Sequence, residues 1–208
     1  MLFCETRQAV VERATEISSR VGLSGLSIGA LATSAGLSKS GVYAHFLSKE
    51  ELQLAVLRHA REQFVDQVLR PALSAPRGEP RLRVFFDRWL VRSREAVPAC
   101  TLYLSARVEF AAQPGRVRDQ LAQDYRDLLD SISQMAHAAV VEGHFHAKVD
   151  PAGFAQALDS IVVGFVFAYR LLHDPELEPR ARESFESLLA ASRPDGPGRG
   201  RGAADPAE

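Results

Sequence analysis

Apolar residues recur along this chain at intervals of three and four, the spacing of one helix face. Val10, Ala14, Ile17 and Val21 trace such a face over residues 5 to 21, and Gly22 suits the end of that helix. Beyond it, one phrase, Leu-Ser-x-x-x-(Leu or Val), occurs three times between residues 26 and 52: LSIGAL, LSKSGV and LSKEEL. A serine ahead of a helix accepts a hydrogen bond from an unpaired first-turn amide, and an apolar residue before it packs on the fourth helical residue. Ser27, Ser38 and Ser48 are therefore expected to cap helices starting at about 27, 38 and 48. The staples would be Leu26 on Leu31, Leu37 on Val42 and Leu47 on Leu52, with Glu51 completing a capping box at Ser48. Two of these helices are very short, and short helices persist only when packed. Residues 27 to 46 thus read as two short helices joined by a tight turn at Gly36, a helix-turn-helix lying against the first helix.

The helical pattern continues and no strand pattern interrupts it. A fourth helix is expected from Lys49 to about Leu69, followed by a loop, RPALSAPRGEP, broken by Pro71, Pro76, Gly78 and Pro80. Pro80 suits the start of a fifth helix with Leu82, Phe85, Phe86, Trp89 and Leu90 on its apolar face, ended by Pro98. A sixth helix covers about 101 to 112, Pro114 and Gly115 break the chain, and a long seventh runs to about Glu142. Asp150 and Pro151 form a cap and first-turn pair for the eighth, and the ninth spans about 178 to 192. The fold class is all-α with about nine helices. Residues 1–48 would form a three-helix head, 49–192 a second helical domain, and 193–208, rich in Pro and Gly, a disordered tail.

The eighth helix is apolar nearly all round, with Phe154, Leu158, Ile161 and Phe165 on one stripe and Val162, Val163, Val166 and Phe167 on another. Such a helix must be covered on both sides. A second copy of the chain is the expected cover, a homodimer through helices near 151–173 and 178–192.

The polar positions of the second short helix carry the chemistry. With Leu37, Val42 and Phe46 turned inward, Ser38, Lys39, Ser40, Gly41, Tyr43, Ala44 and His45 are left outward. Small residues let a backbone enter the major groove, and donors meet phosphates and base edges. The whole chain is formally −1, but no Asp or Glu lies between Ile17 and Lys49, whereas Arg20, Lys39 and Lys49 do. Any attraction for DNA is therefore local to this stretch. GLSKSG is not a phosphate-binding P-loop, because Lys39 follows Ser38 where that motif needs Gly before Lys.

In this register, LSIGALATSAGLSKSGVYAHFLSKEEL resembles the DNA-binding domain of the tetracycline-repressor family of bacterial regulators, most specifically in AGLSKSGVYAHF followed by SKEEL. The resemblance covers roughly residues 7 to 60. It implies a homodimer that binds double-stranded operator DNA and releases it when a small-molecule effector enters the C-terminal domain. It implies that Ser27, Ser38, Tyr43, His45 and Lys49 contact the phosphate backbone, and that Lys39, Ser40 and Gly41 lie nearest base edges. Many members carry Gly then Thr where this chain has Ser40 and Gly41, which leaves open the bases read; repression and activation are not separable at this level.

Composition narrows the remaining classes. At 46% hydrophobic, the 208 residues can build a core. MLFCETRQ lacks a signal peptide's basic start and apolar run, and the apolar segment 161–172 is too short to span a bilayer, so a cytoplasmic location without membrane contact is expected. Cys4 and Cys100 fit reduced thiols better than a disulfide framework. No convergent set of nucleophile, base and orienter is visible, and there is no H-E-x-x-H or Cys-x-x-Cys, so no catalytic residue, metal or cofactor is expected. His144 and His146, with Asp150 nearby, fall short of the four ligands of a structural metal site. The effector cavity should be apolar with few polar groups, and Trp89, Phe110, Tyr125 and Phe165 are the candidates, with Glu109 or His137 as polar anchors. The rival reading is a helical small-molecule-binding protein without DNA function.

Overall fold

The computed structural model describes residues 2–94 and 98–194. The side chains of Cys4 and Cys100 and the tail from residue 195 onward lie outside that range. Helix α1 spans Leu2–Val21, α2 Ile28–Ser34, α3 Lys39–His45 and α4 Lys49–Phe64. A π-helical segment, Val65–Leu69, runs directly into α5, Arg70–Ser74. Then follow α6 (Glu79–Arg94), α7 (Pro98–Phe110), α8 (Arg116–Val141), α9 (Pro151–Leu172) and α10 (Leu177–Ser192). Counting the continuous run from Lys49 to Ser74 as one rod gives nine rods among the described residues, all helical.

That rod corrects the sequence reading, which places a loop at Pro71. Proline lacks an N–H and its ring collides with the carbonyl four residues back. Here that carbonyl belongs to Gln67, inside the π-helical segment, where Arg70 donates to Val65 five residues back and the turn is wider. The wider turn accommodates Pro71 and the helix continues. Pro98 likewise opens α7, as its fixed φ permits.

All three serine caps form: Ser27 accepts from Ala30 N at 3.5 Å, Ser38 from Gly41 N at 3.0 Å and Ser48 from Glu51 N at 3.1 Å. Leu26 and Leu31 are fully buried, as a staple requires, but Leu47 is 90% exposed and does not pack on Leu52. The Glu51 carboxylate meets Arg116 of α8 at 2.5 Å.

Two apolar cores result. One joins α1 to α4 with Leu102, Ala106 and Phe110 of α7 and Val117 and Leu121 of α8. The other lies among α5, α6, α8, α9 and α10, around Phe85, Phe86, Ile132, Leu158 and Phe185. The rod from Lys49 to Ser74 contributes to both, Leu52 to Ala60 in the first and Val68 and Ala72 in the second. By length and composition alone, α9 is long and apolar enough to cross a membrane. The apolar segment 161–172 is the C-terminal part of that helix, which begins at Pro151. In this fold α9 packs on α6, α8 and α10.

An ionic network ties α10 to α6. Arg193, assigned to the tail by the sequence reading, donates to both Glu79 oxygens at 2.9 and 2.5 Å, and Arg83 bridges Glu79 at 2.9 Å to Glu186 at 2.5 Å. The Arg193 hydrogen bonds hold Glu79 below its ordinary value of 4.5, against the opposing effect of burial. A carboxyl whose pKa is lower folded than unfolded stabilises the fold above its unfolded value, and that stabilisation is lost as the pH falls through the folded value. Glu79→Gln is expected to cost about 1 kcal/mol at neutral pH, since charge-assisted bonds are worth about 1.5–3 kcal/mol but its arginine partners are solvent-screened. Urea denaturation over a pH series should show that gap closing below pH 4.5. A gap independent of pH would mean the charge is not what matters.

Candidate nucleic-acid interface and ligand cavity

The head is built by local signals. Gly36, at φ +66°, makes the α2–α3 turn in a conformation costly for a side chain, and Leu37 N returns to Ala32 O at 2.9 Å. Val42 is fully buried and fixes α3 on its inner side. Ser38, Lys39, Ser40, Tyr43 and Ala44 are left exposed, with Gly41 and His45 half-buried beside them. The Ser38 and Ser40 hydroxyls lie 2.9 Å apart. A Cβ on Gly41 would meet Ser38 Oγ at 3.3 Å, so glycine leaves the cap undisturbed. The Lys39 chain crosses α2 at Gly29, where an added Cβ would meet its Cε at 3.1 Å. Arg7 of α1 stacks on the Phe46 ring at 4.8 Å. Among described residues, the outward face of α3 therefore holds hydroxyls, one ammonium and one phenol, and no carboxylate.

Lys49 is exposed, but its ammonium donates to Ser24 O at 2.6 Å. That bond uses one of the ammonium's three donors. The α1–α2 loop and the last turn of α1 are held at three further points. Gln53 donates to Leu23 O at 2.9 Å, Arg170 of α9 to Ser19 O at 3.4 Å, and Ser24 N donates to the Glu109 carboxylate of α7 at 2.8 Å. Glu109 is thus a strut between the second domain and the head. At Gly22, φ +82°, a Cβ would meet Glu109 Oε1 at 2.7 Å, so only glycine admits the strut.

Between α4, α6, α7 and α8 lies a cavity of about 90 Å3. Its apolar wall includes Phe64, Val65, Leu69, Trp89, Leu104 and Leu128. Phe64 and Trp89 meet edge to face with centroids 5.5 Å apart, and Phe85 backs both. Two polar clusters close the rest. Arg61 of the rod pairs with Asp124 and, at 2.7 Å, with Asp127 of α8; the Tyr103 hydroxyl and Gln120 also donate to Asp124. Burial pushes the Asp124 carboxyl above the ordinary carboxylate range, and Arg61 opposes that shift. In the second cluster, the Arg107 guanidinium stacks 3.7 Å from the Tyr125 ring centroid and reaches Asp159 of α9 at 3.4 Å. The Tyr125 hydroxyl donates to Asp159 at 2.9 Å, and burial followed by that bond raises its pKa.

Of the four aromatics expected to bind an effector, Trp89 and Tyr125 line this cavity. Phe110 packs in the head core and Phe165 in the second core against Tyr169, with centroids 5.3 Å apart. His137 is exposed and lines a larger opening nearby. His144 accepts Glu79 N at 3.3 Å and His146 accepts Lys148 N at 3.1 Å. Tyr103, an aromatic that sequence reasoning also counts among pocket candidates, lines the cavity; Arg61, Arg107, Asp124 and Asp159 were missed, and their ion-pair partners lie 63 and 52 residues away.

Two family profiles match the sequence. Residues 10–56 match bacterial regulatory proteins of the tetR family, and residues 78–185 match the tetracyclin repressor-like C-terminal domain. No curated protein matches it. Among solved structures, a TetR transcriptional regulator from Chloroflexus aurantiacus J-10-fl superposes with a TM-score of 0.81 at 21% identity, covering 90% of this chain and 94% of that one. A TetR-family regulator from Cytophaga hutchinsonii gives 0.80 at 16%, covering 94% and 98%. AibR in complex with isovaleryl coenzyme A and operator DNA gives 0.71 at 19%, covering 92% and 100%. With family profiles matched over both the helix-turn-helix head and the helical domain around the cavity, the chain belongs to the tetracycline-repressor family of bacterial DNA-binding regulatory proteins.

Proposed function

We propose that this regulator is a repressor: a homodimer that holds an operator through α3 and lets go when a small molecule enters the cavity between α4, α6, α7 and α8. The observation that carries the reading is the rod, which starts beside α3 at Lys49 and walls the cavity with Arg61, Phe64 and Val65. A ligand that binds more tightly to one rod position than the other shifts both ends together. On the DNA side, Lys39, Ser40 and Gly41 face base edges, while Ser27, Ser38, Tyr43, His45 and Lys49 hold phosphates. On the ligand side, Trp89 and Tyr125 are the contacts. Phe167, Leu171 and Leu172 of α9 are exposed, an apolar face that a second copy would cover. Two copies would also place two reading helices in successive major grooves, about 34 Å apart.

Binding to the DNA flanking its own gene, titrated with salt beside a scrambled duplex, tests the reading. Specific binding is expected to exceed non-specific by about 10³-fold or more and to fall steeply with salt. Lys39→Ala should weaken specific binding by about 1–3 kcal/mol and relax the base preference, whereas Lys49→Ala should weaken binding to both duplexes and reduce the salt slope by about one. Tyr43→Phe should weaken it less. Equal binding to both duplexes would overturn the reading, and indifference to Lys39→Ala would return the rival, a carrier without DNA function.

A further inference from the structure

The inner cavity is small. At about 90 Å3 it has room for roughly three waters of about 30 Å3 each, whereas ligand pockets run to about 300–1,000 Å3. Next to it is a second, more open chamber of about 920 Å3 between the α5–α6 connection, α8 and the start of α9. Leu69 and Ser131 line both spaces, so the two adjoin at these residues, and a doorway between them would have to open there. Leu69 ends the π-helical segment, and local widening of a helix is common at functional sites.

The two chambers differ in chemistry. Aromatic and aliphatic side chains dominate the inner one. The outer wall carries two guanidinia, Arg77 and Arg81, against one carboxylate, Asp150, and adds His137. Asp150 is committed to capping α9, accepting from Ala152 N at 3.1 Å. Arg81 spends two donors on Ala75 O, at 3.1 and 3.4 Å, and a guanidinium has five. Arg77 reaches Glu142 at 3.3 Å, but both are largely exposed, and such pairs are weak and easily exchanged. Free guanidinium donors facing a solvent-filled chamber suit phosphate oxygens.

We propose that the effector is an amphipathic anion, with a short apolar group in the inner cavity and a larger phosphate-bearing body in the outer chamber against Arg77 and Arg81. A short acyl thioester of coenzyme A has that form. The proposal rests on the inner cavity being the effector site of the regulator.

Calorimetric titration of the full chain with butyryl-coenzyme A, free coenzyme A and butyrate tests it. Butyryl-coenzyme A should bind, coenzyme A roughly fiftyfold more weakly for loss of the buried acyl carbons, and butyrate not measurably. The Arg77→Ala/Arg81→Ala variant should lose at least about tenfold for butyryl-coenzyme A and most of the salt dependence of that binding. Ser131→Leu, narrowing the doorway, should weaken butyryl-coenzyme A while leaving coenzyme A nearly unchanged; a circular dichroism melt checks that each variant folds. Absence of butyryl-coenzyme A binding, butyrate binding as well as the thioester, or an arginine variant that binds unchanged overturns the proposal. Operator binding measured in parallel separates the failures: specific DNA binding with no thioester binding rejects only this ligand class, whereas loss of specific DNA binding rejects the repressor.

Discussion

Trp89→Ala is expected to lower the unfolding free energy by about 3–4 kcal/mol, toward the lower part of the range for buried large-to-small aromatic changes. The indole is 2% exposed and packs edge-on against Phe64 and Phe85, both at 5.5 Å. Removing it costs the transfer of that surface and leaves a hole. The lower end applies because part of the indole already borders the cavity, where it has no packing partner to lose. The hole would merge with the existing space and enlarge it. The space vacated beside Phe64 and Phe85 would itself be apolar, and space lined by such side chains takes up aromatic guests. Added indole should therefore raise the melting temperature of Trp89→Ala, as any ligand selective for the folded state does, and leave the wild type unchanged. If indole moves neither protein, the ring does not wall an accessible cavity, and the effector site has to be sought elsewhere.

How much of this was legible depended on the reach of the interactions involved. A serine cap spans three residues, and Ser27, Ser38 and Ser48 all form the expected bonds. A staple spans five and already depends on which way the chain enters. Phe46 is extended, with φ −137° and ψ 114°, and takes the buried slot; the next residue of an extended chain points the opposite way, so Leu47 faces solvent. Helical spacing placed Trp89, Tyr125, Phe110 and Phe165 on inward faces but said nothing of whether the space beside them was filled, and only the first two border a void. The polar corners were out of reach altogether. Arg61 and Asp124 are 63 residues apart, Arg107 and Asp159 52, and Glu109 and Ser24 85. Arg61, Asp124, Arg107 and Asp159 each read singly as a solvated charge, and Glu109 as a polar anchor of the cavity; only the packing of α8 on the rod, and of α7 on α9 and the α1–α2 loop, makes these partners. The continuous rod was hidden for another reason: Pro71 is a sound breaker in an α-helix, and nothing local announces a π turn.

Asp159→Ala is expected to cost about 3–5 kcal/mol, the usual penalty for removing one member of a buried ion pair. Asp159 is 2% exposed and receives Arg107 of α7 and the Tyr125 hydroxyl of α8, so one carboxylate of α9 ties three helices. Without it, the partly buried Arg107 keeps only the Tyr125 ring, and the Tyr125 hydroxyl loses its acceptor. Asp159→Asn, which preserves shape and one acceptor, should cost less. The penalty arises from the stranded partners, because desolvating two charges cancels much of what their attraction gains. Arg107→Met/Asp159→Leu should therefore recover most of the loss in chemical denaturation, and a double variant no better than Asp159→Ala would mean the pair itself is strongly stabilising. Operator affinity is the second readout. Arg107 stands two residues before Glu109, whose carboxylate holds the α1–α2 loop. Freed of Asp159, the end of α7 is no longer fixed against α9, and the strut to the head loosens with it. Asp159→Ala should lose operator affinity at a temperature where it is still folded, whereas the apolar double variant, whose α7 is packed again, should keep it.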